Sequence, residues 1–365
     1  MALLCLISLA GGYVIGKYVR PLEVWDPLQL RAYLNRPLDS TAPTDGFWLA
    51  GYYVDYDSSS LQVVRTRANH MDQVVVFGYG FQPDGTLTGN DQSLIKGLTG
   101  PAKRILLFAN LTDNGFSQST AHAILAQKEV QDRVVAAILA KTTELDAGGV
   151  QIDFENIPAD DRAAFTAFLK RLKGELKPVN RTLSVALSAK TSDVTTGWGG
   201  ADDYVAIGQI VDQVYIMAYD EHYAQGVPGP VASLSWTERV IRYTIGTMPA
   251  QKVMLGVPFY GYDWAADAGA GTKTNRAYGA ESMPEHIAKY GGTIKWDPVA
   301  GENVATYKTP EGEDRIAWYP DQRSLDAKLK LAYQYNLKGV ALWRLGFEPD
   351  SWWNDMAAFR EKPTR

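Results

Sequence analysis

The segment of this 365-residue sequence best equipped for chemistry reads Gly148-Gly149-Val150-Gln151-Ile152-Asp153-Phe154-Glu155. In an extended strand successive side chains point to opposite faces, so Gln151, Asp153 and Glu155 share one face and Val150, Ile152 and Phe154 the other. An apolar outer face suits a strand covered by helices, which leaves the inner face to the carboxylates. Two acids held side by side away from water cannot both ionise cheaply, so one keeps its proton where a free carboxyl would lose it. A carboxyl still protonated near neutral pH is what general acid catalysis needs. Glu155, nearer the end of the run, is the better placed to reach a leaving-group oxygen. The same residues read equally as a salt-bridged or solvated pair at a strand end, and this segment alone does not separate the two readings.

Positioning such a pair takes a scaffold, and the sequence from Phe47 onward supplies one. Short apolar or β-branched runs alternate with longer stretches of helical period, the pattern of repeated βα units around a parallel sheet. Eight runs stand out: Phe47–Asp55, Gln73–Tyr79, Arg104–Asn110, Gly148–Glu155, Leu183–Lys190, Gln213–Asp220, Lys252–Phe259 and Gly339–Leu345. Helical patterns such as Ser119–Thr143, Asp160–Leu176 and Asp321–Tyr335 fall between them. The expectation is an α/β chain forming a (β/α)8 TIM barrel. Turn clusters at Gly269–Gly271, Gly291–Gly292 and Glu311–Gly312 predict a small α+β insertion between strands 7 and 8, at about 260–320. In such a barrel the site is built where strands end at their C-terminal face. Polar or aromatic residues closing a run are therefore the candidates: Tyr52, Gln151, Asp153, Glu155, Met217, Tyr219, Asp220 and Trp343.

Composition narrows the partners. A formal charge of −5, with Lys and Arg scattered rather than clustered, offers no footprint for nucleic acid. The single cysteine, Cys5, rules out an intramolecular disulfide, and four well-separated histidines form no metal-ligand pattern, so neither metal nor cofactor is expected. Ten Trp and twenty Tyr suit the stacking of flat sugar faces, although both also fill ordinary cores. Residues 1–20 read as an apolar signal or membrane-anchor segment, with a helix packed on the domain as the competing reading. Residues 21–45 read as a linker and 46–365 as the catalytic barrel domain, with a monomer as the default state.

Three of these runs together carry a resemblance. Gly149-Val150-Gln151-Ile152-Asp153-Phe154-Glu155 is similar to the DGxDxDxE signature of family 18 glycoside hydrolases, the chitinase-like enzymes. Met217-Ala218-Tyr219-Asp220 resembles the family's MxYD motif, and Ala341-Leu342-Trp343 ends the eighth run where the family places a Trp beneath the scissile sugar. Within the family the likeness is to the branch of bacterial spore cortex-lytic N-acetylglucosaminidases, through Ile152 to Ile157, Tyr219 to His222, Gly229 to Ser233 and Gly256 to Gly261. Two positions depart from the motif: its first Asp is Gly148 here and its middle Asp is Gln151. With an amide at 151 only hydrogen bonding holds Asp153 from below. The pH–rate profile should then differ from that of a Gln151→Asp variant, its acidic limb set by Asp153 and Glu155 as a coupled pair.

Ordinary glycosidases flank the scissile bond with two carboxyl groups, whereas adjacent positions on one strand cannot reach a sugar from opposite sides. The resemblance implies the family's alternative, a substrate-assisted retaining route in which the 2-acetamido oxygen attacks the anomeric carbon. It implies Glu155 as proton donor and Asp153 as acceptor of the acetamido N–H. Tyr219 would orient the acetamido carbonyl, Asp220 would bind the same sugar, and Trp343 would stack beneath it. Tyr219 and Trp343 read alternatively as aromatic core layers of the barrel, and Met217 as core filling beside the sugar rather than a catalytic group. The implied substrate is a glycan with β-1,4 bonds next to N-acetylglucosamine, in cell-wall (spore cortex) peptidoglycan or chitin-like polymers, handled outside the cell or at the spore. A barrel that has lost catalysis and binds glycans as a lectin is the alternative, and retention of Glu155, Asp153 and Tyr219 weighs against it.

Overall fold

The structure is a computed structural model that describes residues 46–90, 92, 95, 100–266 and 275–360; the expected leader at 1–20 and linker at 21–45 lie outside the described residues. Eight parallel strands form a closed barrel: Trp48–Val54, Gln73–Phe81, Lys103–Ala109, Gly149–Asp153, Thr182–Ser188, Gln213–Met217, Val253–Pro258 and Gly339–Trp343. The first strand closes the ring by pairing with the second from Ala50↔Gln73 to Val54↔Phe77 and with the eighth from Trp48↔Gly339 to Gly51↔Leu342. This is the expected (β/α)8 barrel, and its strands fall within two residues of the expected runs at most ends.

Alternation along each strand divides the core in two. Val150, Ile152, Leu106, Phe108, Val214, Ile216, Val340 and Leu342 face outward into the helices and are buried there. Ala50, Tyr52, Val75, Ile105, Leu107, Ala109, Tyr215, Met254 and Ala341 pack inside the ring. Helices begin where short polar side chains satisfy free backbone N–H groups. Asp57, Ser117, Asp203 and Ser233 accept from Ser59, Thr120, Ala206 and Trp236, and Asp321 forms a reciprocal capping box with Ser324. One helical expectation is corrected. Ser119–Thr143 is two helices, Gln118–Ala126 and Lys128–Glu144, because Gln127 between them is extended at φ −106°, ψ 112°.

Among the described residues the insertion between strands seven and eight is a five-stranded antiparallel sheet with one helix, Met283–Lys289. Its strands run in the order Arg276–Gly279, Tyr260–Ala265, Asp314–Tyr319, Glu302–Lys308, Thr293–Asp297. Glu302 fastens it to the barrel: the carboxylate accepts the N–H groups of Val231 and Ala232 at 2.9 Å each and pairs with Lys328 at 3.4 Å, both side chains fully buried. Among the described residues no helix is long and apolar enough to cross a membrane.

Candidate active site

Inside the ring polar side chains sit among the apolar ones in layers. At the N-terminal end Gln73 Nε2 donates to Gln213 Oε1 at 2.9 Å, and the Tyr215 hydroxyl donates to Gln73. One layer higher, Tyr52 donates its hydroxyl to Gln151 Oε1 at 2.8 Å, while Gln151 Nε2 reaches Ser184 Oγ at 3.4 Å. Gln151 and Tyr52, expected to line the substrate site, therefore form its floor; Gln151 is fully buried and both ends of its amide are engaged. A Gln151→Asp variant puts a third carboxyl beneath Asp153. Its charge would hold protons on the pair above, so the acidic limb of its pH–rate profile should move to higher pH, as a kcat/KM titration of both proteins would show.

Asp153 closes the fourth strand, pairing in register with Ala109, and is almost fully buried with Oδ1 lacking any hydrogen-bond partner. Burial pushes its carboxyl up to about 7, helped by the charge of Asp202. Asp202 lies in the loop after the fifth strand, where its Oδ2 accepts the Ser188 N–H at 3.0 Å. It is itself pushed up to about 6 by burial.

Glu155 is not the strand's last inward residue, as alternation suggested, because the strand stops at Asp153. Phe154 turns outward and stacks on Phe168 with ring centroids 5.6 Å apart, and Asn156 takes a left-handed φ of +52°. The loop between them is held by Asn110, the buried residue that follows the third strand. Asn110 Oδ1 accepts the Glu155 N–H at 2.9 Å and Asn110 Nδ2 donates to the Glu155 carbonyl at 2.8 Å, a clamp on both backbone groups of one residue. The Glu155 side chain accepts the indole N–H of Trp198 at 3.0 Å through Oε2. Burial, then the neighbouring charge of Asp153, pushes its carboxyl well above the ordinary range, opposed only in part by the Trp198 bond. Replacing Asn110 with Ala leaves both backbone groups of Glu155 unpaired. Misplacing a reacting group by an ångström can cost about a hundredfold. Asn110→Ala should therefore lower kcat by roughly 10- to 100-fold with little change in KM, measured by steady-state kinetics.

Tyr219 lies just past the sixth strand against Asp153, Glu155 and Asp220; burial and these charges hold its phenol protonated, as a donor. Room for its ring comes from Gly256 on the seventh strand, where a Cβ would stand 2.9 Å from Tyr219 Cε1 and 2.5 Å from the Ile216 carbonyl oxygen. Asp220 has φ +61° and accepts hydroxyls from Tyr260 and, at 3.0 Å, Tyr262, both on the first strand of the insertion. Trp343, half-buried at the end of the eighth strand, meets Tyr52 and Phe77 edge-on at 5.2 and 5.5 Å. Met217, partly exposed, ends the sixth strand.

The sequence candidates thus gather at the C-terminal mouth in two tiers, with Asp153, Glu155, Tyr219, Asp220, Met217 and Trp343 above Gln151 and Tyr52. Three further residues, Asn110, Trp198 and Asp202, complete the setting. Asn110 carried a legible signal as a polar residue closing a strand run; Trp198 and Asp202 sit in an irregular loop whose position no periodicity reveals. At the opposite end, Gly148 stands where the family motif has its first Asp. Lys103 lies across it, so a Cβ would fall 2.4 Å from Lys103 Cγ, and the lysine reaches on to Thr182 Oγ1 at 3.2 Å.

Known proteins share this fold. The family described as "Glycosyl hydrolases family 18" matches residues 49–348. The cortical fragment-lytic enzyme of Bacillus subtilis is 29% identical over 295 residues, covering 80% of this chain and 68% of its own. Among solved structures, the spore cortex-lytic enzyme SleL of Bacillus cereus superposes with a TM-score of 0.81 at 25% identity, over 94% of this chain and 85% of that one. A chitinase from Chromobacterium violaceum gives 0.78 at 25% identity, over 87% and 100%.

Proposed function

This chain belongs to family 18 of the glycosyl hydrolases and is a glycosidase; from that premise we propose that it cleaves β-1,4 bonds next to N-acetylglucosamine by substrate-assisted catalysis, with Glu155 as the acid. The observation that carries the reading is the pair at the mouth: a Glu155 carboxyl kept protonated by burial and by Asp153, beside an Asp153 oxygen buried without a partner. An unpaired buried acceptor is costly unless a ligand donor meets it, and the acetamido N–H of the bound sugar is such a donor. In the first step the acetamido carbonyl oxygen bonds to the anomeric carbon while the glycosidic C–O bond breaks and Glu155 passes its proton to the departing oxygen. Asp153 balances the positive charge that grows on the oxazolinium ring, and the Tyr219 hydroxyl orients the acetamido carbonyl. Glu155, now ionised, takes a proton from the water that opens the ring, which returns the anomeric carbon to its starting configuration. Asp220, held by Tyr260 and Tyr262, binds the same sugar, and Trp343 stacks beneath it.

The substrate we infer is cell-wall peptidoglycan of the spore cortex type, with chitin oligomers as the second substrate class. The likeness to cortex-lytic enzymes supports the first and the likeness to a chitinase the second. A wall substrate requires export, for which residues 1–20 are the candidate leader or anchor. Incubating the purified protein with peptidoglycan and with chitin oligosaccharides, and identifying products by mass, tests the proposal. Fragments ending in reducing N-acetylglucosamine support it; tight glycan binding without turnover of either polymer would replace it with a lectin role.

A further inference from the structure

Trp198 hangs from the loop that follows the fifth strand, between Gly197, at φ +69°, and the pair Gly199-Gly200. Residues 191–198 are all exposed, and Trp198 is itself 52% exposed. What it does in the structure is donate its one N–H to Glu155 Oε2 at 3.0 Å. The loop behind it is held rather than loose: Lys190 Nζ donates to the carbonyls of Val194 and Asp202 at 2.8 and 2.7 Å, and Arg162 ties down Asp193 and Asp203 at 3.2 and 3.3 Å.

We infer that Trp198 is a positioning residue for the acid, fixing the Glu155 carboxyl through one oxygen so that the other is presented to the glycosidic bond. The inference rests on Glu155 being the proton donor. Backbone clamping by Asn110 sets where Glu155 begins, but its side chain still has three torsions, and among the described residues Trp198 donates to its carboxyl. The groups that set the charge around that carboxyl are Asp153 on its own segment, Asp202 on the loop after the fifth strand and Asp220 after the sixth, all of which favour the protonated form. Trp198 acts against all three: an N–H donor favours the carboxylate. It therefore both aims the acid and keeps its proton transferable.

A Trp198→Phe variant retains an exposed ring and removes only the donor. Its kcat should fall roughly tenfold with KM nearly unchanged, and the basic limb of kcat/KM, where the acid loses its proton, should move to higher pH. The contact has a readout that needs no turnover. The difference in fluorescence between wild type and Trp198→Phe, followed against pH, should show a step as Glu155 titrates, and the step should vanish when both are compared in a Glu155→Gln background. A Trp198→Phe protein with an unshifted basic limb, or a difference spectrum without that step, would overturn the inference. Turnover surviving Glu155→Gln, with the fluorescence step present when Glu155 is there and lost when it is replaced, would instead sink the proton-donor assignment while leaving the indole–carboxyl contact standing.

Discussion

Glu155→Gln should lower kcat by roughly 10²- to 10⁴-fold, the range that a positioned general acid contributes, while binding of an uncleaved oligosaccharide changes little. The amide keeps the size of the side chain and can still accept the Trp198 N–H, and the Asn110 clamp acts on backbone atoms that the substitution does not touch. What disappears is the transferable proton. The deficit in kcat/KM, which reports the step in which the leaving group departs and not the later one in which Glu155 acts as base, should therefore depend on the leaving group: large for a sugar, whose departing oxygen needs the proton, and much smaller for a nitrophenyl glycoside, whose phenolate leaves without it. Steady-state kinetics on both substrate types measures this directly. Equal losses on the two would show that Glu155 serves binding or structure, and no loss on either would move the acid elsewhere in the cluster.

How much of this was legible beforehand varies with the physics behind each residue. Alternation on the fourth strand correctly assigned Gln151 and Asp153 to the ring interior and Val150, Ile152 and Phe154 to the helices, because a parallel strand buried on both faces leaves no other arrangement. The same alternation carried one step too far at Glu155. There the strand has ended, and the direction of the side chain comes from a clamp contributed by Asn110, 45 residues earlier. Gln151 and Tyr52 looked like groove residues since both are polar and inward. Depth along the strand is a tertiary quantity, however, and it puts them one layer below the mouth. Gln127 illustrates a further limit: it fits a helical pattern, yet its backbone is extended there and divides the run into two helices. Trp198 and Asp202 were beyond reach for a related reason, since both belong to a loop whose course is set by Arg162, Lys190 and Ser188 rather than by any local period.

Asp153→Asn should abolish most activity and yet make the protein more stable at alkaline pH, a combination that a structural carboxylate would not give. The carboxyl is pushed up to about 7 in the folded chain, against about 3.9 for an Asp free in water. The folded state therefore holds its proton more tightly than the unfolded chain does. The stabilisation that follows is complete below the unfolded value and is lost progressively as pH rises through the folded one. Above about pH 7 wild type carries a buried charge whose Oδ1 has no partner. An Asn side chain has no such charge to bury, so at pH 8 the variant should exceed wild type by about 1–2 kcal/mol, the range typical of substitutions that relieve strain at an active site. Between pH 8 and pH 5 wild type regains about 2–3 kcal/mol as Asp153 takes up its proton, so at pH 5 the advantage should vanish or reverse. Asp202, pushed up to about 6, adds a fall in stability with the same sign, so the variant's own profile should flatten without becoming level. Urea unfolding of both proteins at pH 5 and pH 8 reads the difference. A variant less stable than wild type at pH 8 would mean that the Asp153 carboxylate is held by partners that outweigh its burial, and the oxygen assigned to the acetamido N–H would then already be occupied.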